Sequence, residues 1–158
     1  MRRLAIALVV LSAGTARADF LNHELMRQHV AETFANLDLA KLDDAQREAL
    51  YADRTTLTLG LLVPVLGTYR MEEKVFGGVR PAGVIFDWFL GGAVPLGLGI
   101  TALATDGRTR EVCAWTALGL YATTRLAILL IGSAHVSAYN EEVRGHLSSR
   151  FHADRGTF

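Results

Sequence analysis

Two charged residues stand within the most apolar part of this 158-residue chain. Asp87 lies in the apolar stretch 82–104 and Arg125 in the stretch 112–134, and neither stretch contains another charge. A charge is costly to bury in a long apolar segment, so such a residue is expected to find a partner or to serve a function. Because their signs are opposite, we expect Asp87 and Arg125 to pair.

The spacing along the chain permits that pairing. Arg108 lies in the polar turn between the two stretches, 21 residues after Asp87 and 17 residues before Arg125. In an antiparallel helical hairpin the mismatch amounts to about 6 Å of helix rise, which an arginine side chain can bridge. Three interpretations stay open: a charge in the polar path of a channel, a pair that holds the hairpin together, or two side chains that reach separately to lipid headgroups.

No other motif predicts chemistry. His23-Glu24 begins like the zinc motif H-E-x-x-H, but the next histidine, His29, comes six residues after the first and falls on another helix face. The sequence contains no G-x-S-x-G motif, no P-loop and no dinucleotide-binding glycine pattern. We therefore predict a non-enzymatic protein without a catalytic residue, a metal site or a cofactor.

Charge argues against a nucleic-acid partner. The chain has 16 basic and 16 acidic residues, and 51% of its residues are hydrophobic. Arg2, Arg3 and Arg17 belong to a predicted leader, so the remainder carries an excess of acidic residues, the opposite of a clustered basic surface. Cys113 stands alone in the sequence and predicts no disulfide within the chain.

The first residues have the three parts of a secretory signal peptide. Arg2 and Arg3 form a positive start, residues 4–11 are an unbroken apolar run, and Ala16-Arg17-Ala18 is an A-x-A cleavage signal. Residues 1–18 are therefore predicted to direct export and to be removed. The expected location is a membrane of the cell envelope, by default the inner membrane, where helical membrane proteins ordinarily reside.

The rest of the sequence predicts an all-α integral membrane protein in three parts. These are a polar helical region outside the membrane (19–54), a membrane domain (55–136) and an amphipathic C-terminal tail (137–158). Apolar residues recur every fourth position from Tyr139 onward, which predicts a tail lying on the membrane surface.

Two helices are expected in the polar region. Met26, Val30 and Phe34 recur every fourth residue and predict an amphipathic helix within 19–39. After a break, Asp43 or Asp44 is expected to cap a second helix that runs through 45–54.

The membrane domain is predicted to contain a two-helix transmembrane hairpin over 82–134. Each arm has 23 residues, enough to cross a bilayer with some tilt. The preceding stretch 55–69 is short and contains Pro64, so a kinked span and a re-entrant helix both stay open. With three spans the basic residues divide evenly between the two sides, and charge predicts no orientation.

Small residues and aromatic residues complete the predicted site residues. Small residues let helices approach closely, and Trp and Tyr favour the boundary between membrane and water. Helix packing, chiefly within the chain and alternatively between copies, is assigned to Gly92, Ala93, Gly97, Gly119 and Thr123. The predicted interface aromatics are Trp88, Trp115 and Tyr139.

Four short features follow one another between Leu59 and Leu147: the glycine-containing stretch 59–69, Val84-Ile85-Phe86-Asp87, Arg125 within the last span, and Ala138-Tyr139-Asn140-Glu141-Glu142. With these features the region resembles a family of small spirochaetal surface membrane proteins described as porins. The polar region 19–54 is longer than in that family. The resemblance implies an oligomeric helical channel in an outer membrane, with Asp87 and Arg125 as the residues to suspect.

Two functions are therefore carried forward. The first is a non-enzymatic component or scaffold of the cell envelope. The alternative is a porin-like oligomeric channel with Asp87 and Arg125 in or near its polar path. The expected partners are the lipid bilayer and either a second copy of the chain or another membrane protein.

Overall fold

A computed structural model describes residues 23–155, without the side chains of residues 40 and 150–155. The predicted signal peptide, 1–18, lies outside the described residues. The described part is helical and contains no strand, which confirms the all-α prediction. In chain order the elements are α1 (23–35), a 3₁₀ turn (Leu39–Lys41), α2 (Asp44–Leu50), α3 (Arg54–Gly60), α4 (Leu66–Phe76), α5 (Pro81–Trp88), a π-helical segment (Phe89–Ala93), α6 (Val94–Ala104) and α7 (Gly107–Arg155).

Two helical runs are long and apolar enough to cross a membrane. The first, Pro81–Ala104, joins α5, the π-helical segment and α6, and the second is Gly107–Ser149 of α7. They pack against each other as an antiparallel hairpin, as the sequence predicts. Since α7 has 49 residues, it is about 70 Å long and extends far beyond the other arm of the hairpin.

The stretch 55–69 does not form a single helix. α3 ends at Gly60, residues 61–65 make a turn that contains Pro64, and α4 packs back against α3. A proline supplies no backbone N–H to continue a helix. Gly60 and Gly67 lie so close together that a Cβ on Gly67 would collide with the Gly60 carbonyl. The chain therefore folds back here, which is the geometry of the re-entrant alternative.

Aspartate caps set the helix boundaries in the polar region. Asp43 is the N-cap of α2 and forms a reciprocal capping box with Gln46. Asp53 caps a new helix, α3, with its carboxylate accepting from two backbone N–H groups. The predicted helix through 45–54 is therefore too long, since α2 ends at Leu50.

Three segments build a compact region that we call the head. They are α1, α2 and residues 132–149 of α7. The buried apolar side chains that join α1 to α7 are Met26, Val30, Phe34, Val136, Tyr139 and Val143. The Phe34 ring stacks on His146 with centroids 5.2 Å apart, and Nε of Arg27 lies 3.6 Å from a carboxylate oxygen of Glu142.

This packing corrects the membrane-surface prediction for the tail up to residue 149, while the side chains of 150–155 and residues 156–158 lie outside the described part. The tail is amphipathic, but Tyr139 and Val143 on its apolar side are buried in the head. The two stripes that repeat every fourth residue, on α1 and on α7, cover each other. Each stripe removes the other from water, so neither needs a lipid surface.

Both ends of the described chain lie at the same end of the hairpin. α1 contacts α7 beyond residue 135, while the turn between α6 and α7 lies at the opposite end. Three full spans would place the two ends on opposite sides. The structure therefore replaces that arrangement with two candidate spans and one folded-back helix pair.

Candidate functional site

Asp87 and Arg125 lie side by side inside the protein. Asp87 is 0% exposed and Arg125 is 4% exposed, and Nη2 of Arg125 donates to Oδ1 of Asp87. α5 carries the carboxylate and α7 carries the guanidinium. The structure thus brings together the two residues that the sequence singled out.

The turn between α3 and α4 completes the hydrogen bonding of the pair. The backbone N–H of Val65 donates to Oδ2 of Asp87 at 2.8 Å, and the hydroxyl of Thr68 donates to the same oxygen at 2.5 Å. Nη1 of Arg125 donates to the carbonyl oxygen of Leu61 at 3.1 Å. The pair therefore supplies hydrogen-bond partners to one backbone N–H and one backbone C=O of the turn that separates α3 from α4.

Val65 has an unusual backbone conformation. Its φ is +68°, a region in which β-branched residues are rare. Such strain costs about 1–3 kcal/mol and persists only where the surroundings enforce it. Here the strained residue turns its N–H toward Asp87, so the buried carboxylate helps to hold the turn in place.

Glycines allow neighbouring segments to approach closely around the charge pair. They are not the glycines that the sequence predicted to pack. Gly91 is buried, and a Cβ at that position would collide with the guanidinium of Arg125. A Cβ on Gly132 would collide with the side chain of Leu61. Their role follows from contacts between separate elements, which a small-xxx-small pattern along one helix does not detect.

The predicted packing residues lie elsewhere. Gly97, Gly119 and Thr123 are exposed, and a Cβ on either of these glycines would meet nothing within 4 Å. They do not pack within the described chain, so the prediction of intrachain packing is wrong for them. Contact between copies stays a prediction. Gly92 and Ala93 are half-buried and line a groove beside the pair.

That groove lies next to the π-helical segment. It has a volume of about 470 Å³, and Pro64, Trp88, Pro95 and Tyr121 contribute to its lining. Pro95 has no N–H to donate to the preceding helical turn, and the π-helical segment stands directly before it. The missing donor at Pro95 is thus accommodated by wider winding over Phe89–Ala93.

The predicted interface aromatics separate into two groups. Trp88 and Trp115 are exposed, Trp115 by 72%. Tyr139 is 3% exposed, and its hydroxyl donates to the carbonyl oxygen of Leu50 at 3.1 Å. Tyr139 therefore belongs to the core of the head and not to an interface, because α1 and the segment after α2 cover it.

A second ion pair, with a buried carboxylate and a half-buried guanidinium, escaped the sequence reasoning. Glu72, 2% exposed, accepts from the backbone N–H of Arg80 at 2.7 Å and lies 3.4 Å from its guanidinium. Burial raises the pKa of Glu72, while the N–H and the charge of Arg80 oppose that rise. A signal was present: Thr68, Met71, Glu72 and Val75 share one helix face at i, i+3, i+4 and i+7.

The arrangement around Asp87 holds three segments together. Both carboxylate oxygens accept hydrogen bonds, and within the described residues Nε is the one nitrogen of Arg125 without a partner. Among residues 23–155, no group of three His, Cys, Asp or Glu side chains could hold a metal ion. The geometry of the pair is that of a structural lock joining α5, α7 and the α3–α4 turn.

Comparison of the chain with protein families, with curated proteins and with solved structures finds no match in any of the three.

Proposed function

We propose that the chain is an exported integral membrane protein of the cell envelope with a non-enzymatic, scaffolding role. The observation that carries the proposal is the outward-facing apolar surface of the hairpin, which we call the belt (residues 82–103 and 112–131). Leu103, Trp115 and Leu118 are among its exposed side chains. Soluble proteins rarely expose an apolar surface of this extent. The Pro81–Ala104 run has 24 residues, and its length of about 36 Å exceeds the hydrocarbon thickness of a bilayer.

The folded-back α3–α4 pair fits the same placement. The turn at 61–65 lies level with Asp87 and Arg125, within the height of the belt. Non-helical backbone is tolerated at membrane depth only where protein groups satisfy it. The pair satisfies Val65 and Leu61, so it allows a re-entrant turn to exist inside the bilayer.

The continuous α7 supports the scaffolding role. Its N-terminal half contributes to the belt, and its C-terminal half forms the head with α1. Because one unbroken helix joins the two, the head is held at a fixed distance from the membrane. A partner bound to the head would share that fixed position.

The alternative proposal is a porin-like oligomeric channel. The observation that favours it is the exposure of Gly97, Gly119 and Thr123, since small residues on an apolar surface permit close contact between helices of two copies. In this reading Asp87 and Arg125 lie near the polar path, and the family resemblance supports the same function.

The first experiment is membrane fractionation. A carbonate wash should leave the full chain in the membrane pellet, and release into the supernatant would contradict an integral membrane protein. Separation of inner from outer membranes on a density gradient then distinguishes the default location from the one that the porin resemblance implies.

Reconstitution into planar bilayers separates the two functions. A scaffold gives no conductance from pure protein. A channel gives conductance, and Asp87→Asn should change that conductance. The matched variant Asp106→Asn, in the exposed turn, should change it less. Absence of conductance from purified oligomers would count against the channel.

With two candidate spans in place of three, the charges do predict an orientation, and it disagrees with the one that the signal peptide predicts. Arg108 and Arg110 lie at the turn end of the hairpin, and apart from Arg125 the other basic residues of the described part lie toward the head. This bias favours a head in the cytoplasm, whereas the predicted signal peptide favours a head outside. Long segments translocate largely regardless of charge, so we propose that the signal peptide decides and that the head lies outside.

Cysteine labelling tests this orientation. On a Cys113→Ser background, Asn36→Cys and Ser148→Cys report on the head, and Arg108→Cys reports on the turn. An impermeant thiol reagent added from outside should label the two head positions and spare the turn. Labelling of the turn alone would reverse the orientation, and opposite behaviour of positions 36 and 148 would contradict the fold.

A further inference from the structure

A second cavity lies on the side of α4 that does not face the charge pair. It has a volume of about 380 Å³ and lies between α1, α4 and α7. The polar and aromatic side chains that line it are His29, Thr33, Arg70, Glu73, Lys74 and Tyr139. Arg70, Glu73 and Lys74 are three and four residues apart on α4, so they share one helix face. We call this space the basic cavity.

The charges around the basic cavity favour an anion. Arg70 and Lys74 are cationic and Glu73 is anionic, so the lining carries a net positive charge even when His29 is neutral. Among the described residues, the Arg70 guanidinium has no ion-pair partner, which leaves its planar set of donors available. Arginine donors of this kind match the geometry of a phosphate.

Lys74 provides a second donor at the same place. Its Nζ donates to the carbonyl oxygen of Ala49 at 2.9 Å, which fixes the side chain and leaves two of its three N–H groups for a ligand. Burial lowers the pKa of Lys74 and of His29. A bound anion would compensate the cost of burying the Lys74 cation.

The position of the basic cavity suggests where the anion comes from. Lys74 lies two residues before the end of α4 at Phe76, and Pro81 begins the first candidate span. The cavity therefore lies beside one end of the belt, at the level where the phosphates of a bilayer are found in the proposed placement.

We propose that the basic cavity binds an anionic phosphate group, presented either by a lipid headgroup or by a small soluble phosphate compound. Arg70 and Lys74 donate to the phosphate oxygens, and the hydroxyl of Thr33 lies within the same cavity. The lipid source rests on the proposed membrane placement, whereas binding of free phosphate does not.

The test is a titration of the full chain in nonionic detergent. The probes are inorganic phosphate and short-chain phosphatidylglycerol, with short-chain phosphatidylcholine as the zwitterionic control. Binding is followed by calorimetry and by the shift in thermal unfolding midpoint. Arg70→Gln should weaken binding about tenfold, the loss of one charged hydrogen bond. The matched control is Arg144→Gln, an exposed arginine on α7, which should bind like wild type.

Each outcome decides the proposal. Binding of phosphatidylglycerol without binding of inorganic phosphate assigns the site to a lipid headgroup, and binding of inorganic phosphate assigns it to a soluble phosphate compound. Binding of neither probe, or equal losses in Arg70→Gln and Arg144→Gln, overturns it. Carbonate extraction is scored separately, so failure of the membrane placement is not confused with failure of the basic cavity.

Discussion

The belt and the head place the same kinds of side chain in opposite environments, and α7 passes through both. In the belt, Leu126, Leu130 and Ile131 are exposed, whereas further along the same helix Val136 and Val143 are buried against α1. The head is thus organised like a soluble protein, with its apolar residues inside. In the most apolar part of each candidate span, only 17% of the residues are buried. One helix can therefore expose its apolar side chains in one part and bury them in another when its partners change along its length.

The largest expected effect comes from the charge pair that anchors the belt to the α3–α4 turn. Asp87→Ala strands a buried guanidinium and should destabilise the protein by about 4 kcal/mol. Arg125→Ala should cost a similar amount, and the double variant should cost less than the sum of the two. Folded fraction and thermal midpoint in detergent give these values. Strictly additive losses would show that the two side chains do not interact.

Truncating one large side chain to alanine in each region tests the comparison between head and belt directly. Phe34→Ala removes a ring that is buried in the head and should cost about 3 kcal/mol. Leu118→Ala removes an exposed belt side chain and should change stability in detergent by about 0.5 kcal/mol at most. Both are measured by thermal unfolding. Equal losses would mean that the belt is packed like the head.

A pair of adjacent glycines gives a sharper local test. Gly91→Ala places a Cβ against Arg125 and should cost about 1–3 kcal/mol through overpacking. Gly92→Ala meets nothing within 4 Å and should be neutral or stabilising, because alanine favours a helix. The readout is the unfolding midpoint of each variant. A stable Gly91→Ala would place the guanidinium elsewhere.

The smallest expected effect is a pH dependence from Glu72. Its ordinary pKa is 4.5, and burial raises it in the folded protein. A group with a raised folded pKa stabilises fully below its unfolded pKa and loses that contribution as the pH rises through the folded value. From pH 4.5 upward, wild type should therefore lose more stability than Glu72→Gln. Glu141→Gln, an exposed control, should follow wild type, and identical slopes for all three proteins would exclude the effect.

Hydropathy and spacing predicted the helical class, the hairpin and the residues of the charge pair. They succeeded because the 3.6-residue period and the length of an apolar run are local properties of the sequence. The pairing of Asp87 with Arg125 could also be predicted, since a tight turn between two helices determines which residues face each other. The Glu72–Arg80 pair was missed, although the apolar period on α4 includes Glu72.

The corrections come from contacts between segments that are distant in the sequence. The stripe at Tyr139 and Val143 predicts an apolar face correctly, but nothing local indicates whether lipid or α1 covers it. The packing glycines have the same difficulty. Gly91 matters because Arg125, 34 residues further along the chain, reaches it. Gly97 and Gly119 have the expected pattern, but a Cβ added to either would meet nothing within 4 Å among the described residues.

The sequence by itself determined the helical class, the apolar stretches and the two charges that need partners, because each follows from neighbouring residues. The tertiary structure decided what lies against each face. It turned the stretch 55–69 back on itself, buried Tyr139 and Val143 of the tail under α1 and gave Asp87 and Arg125 a strained turn to hold. These outcomes depend on close packing and on satisfying buried polar groups across the whole chain, and no single stretch of sequence contains that information.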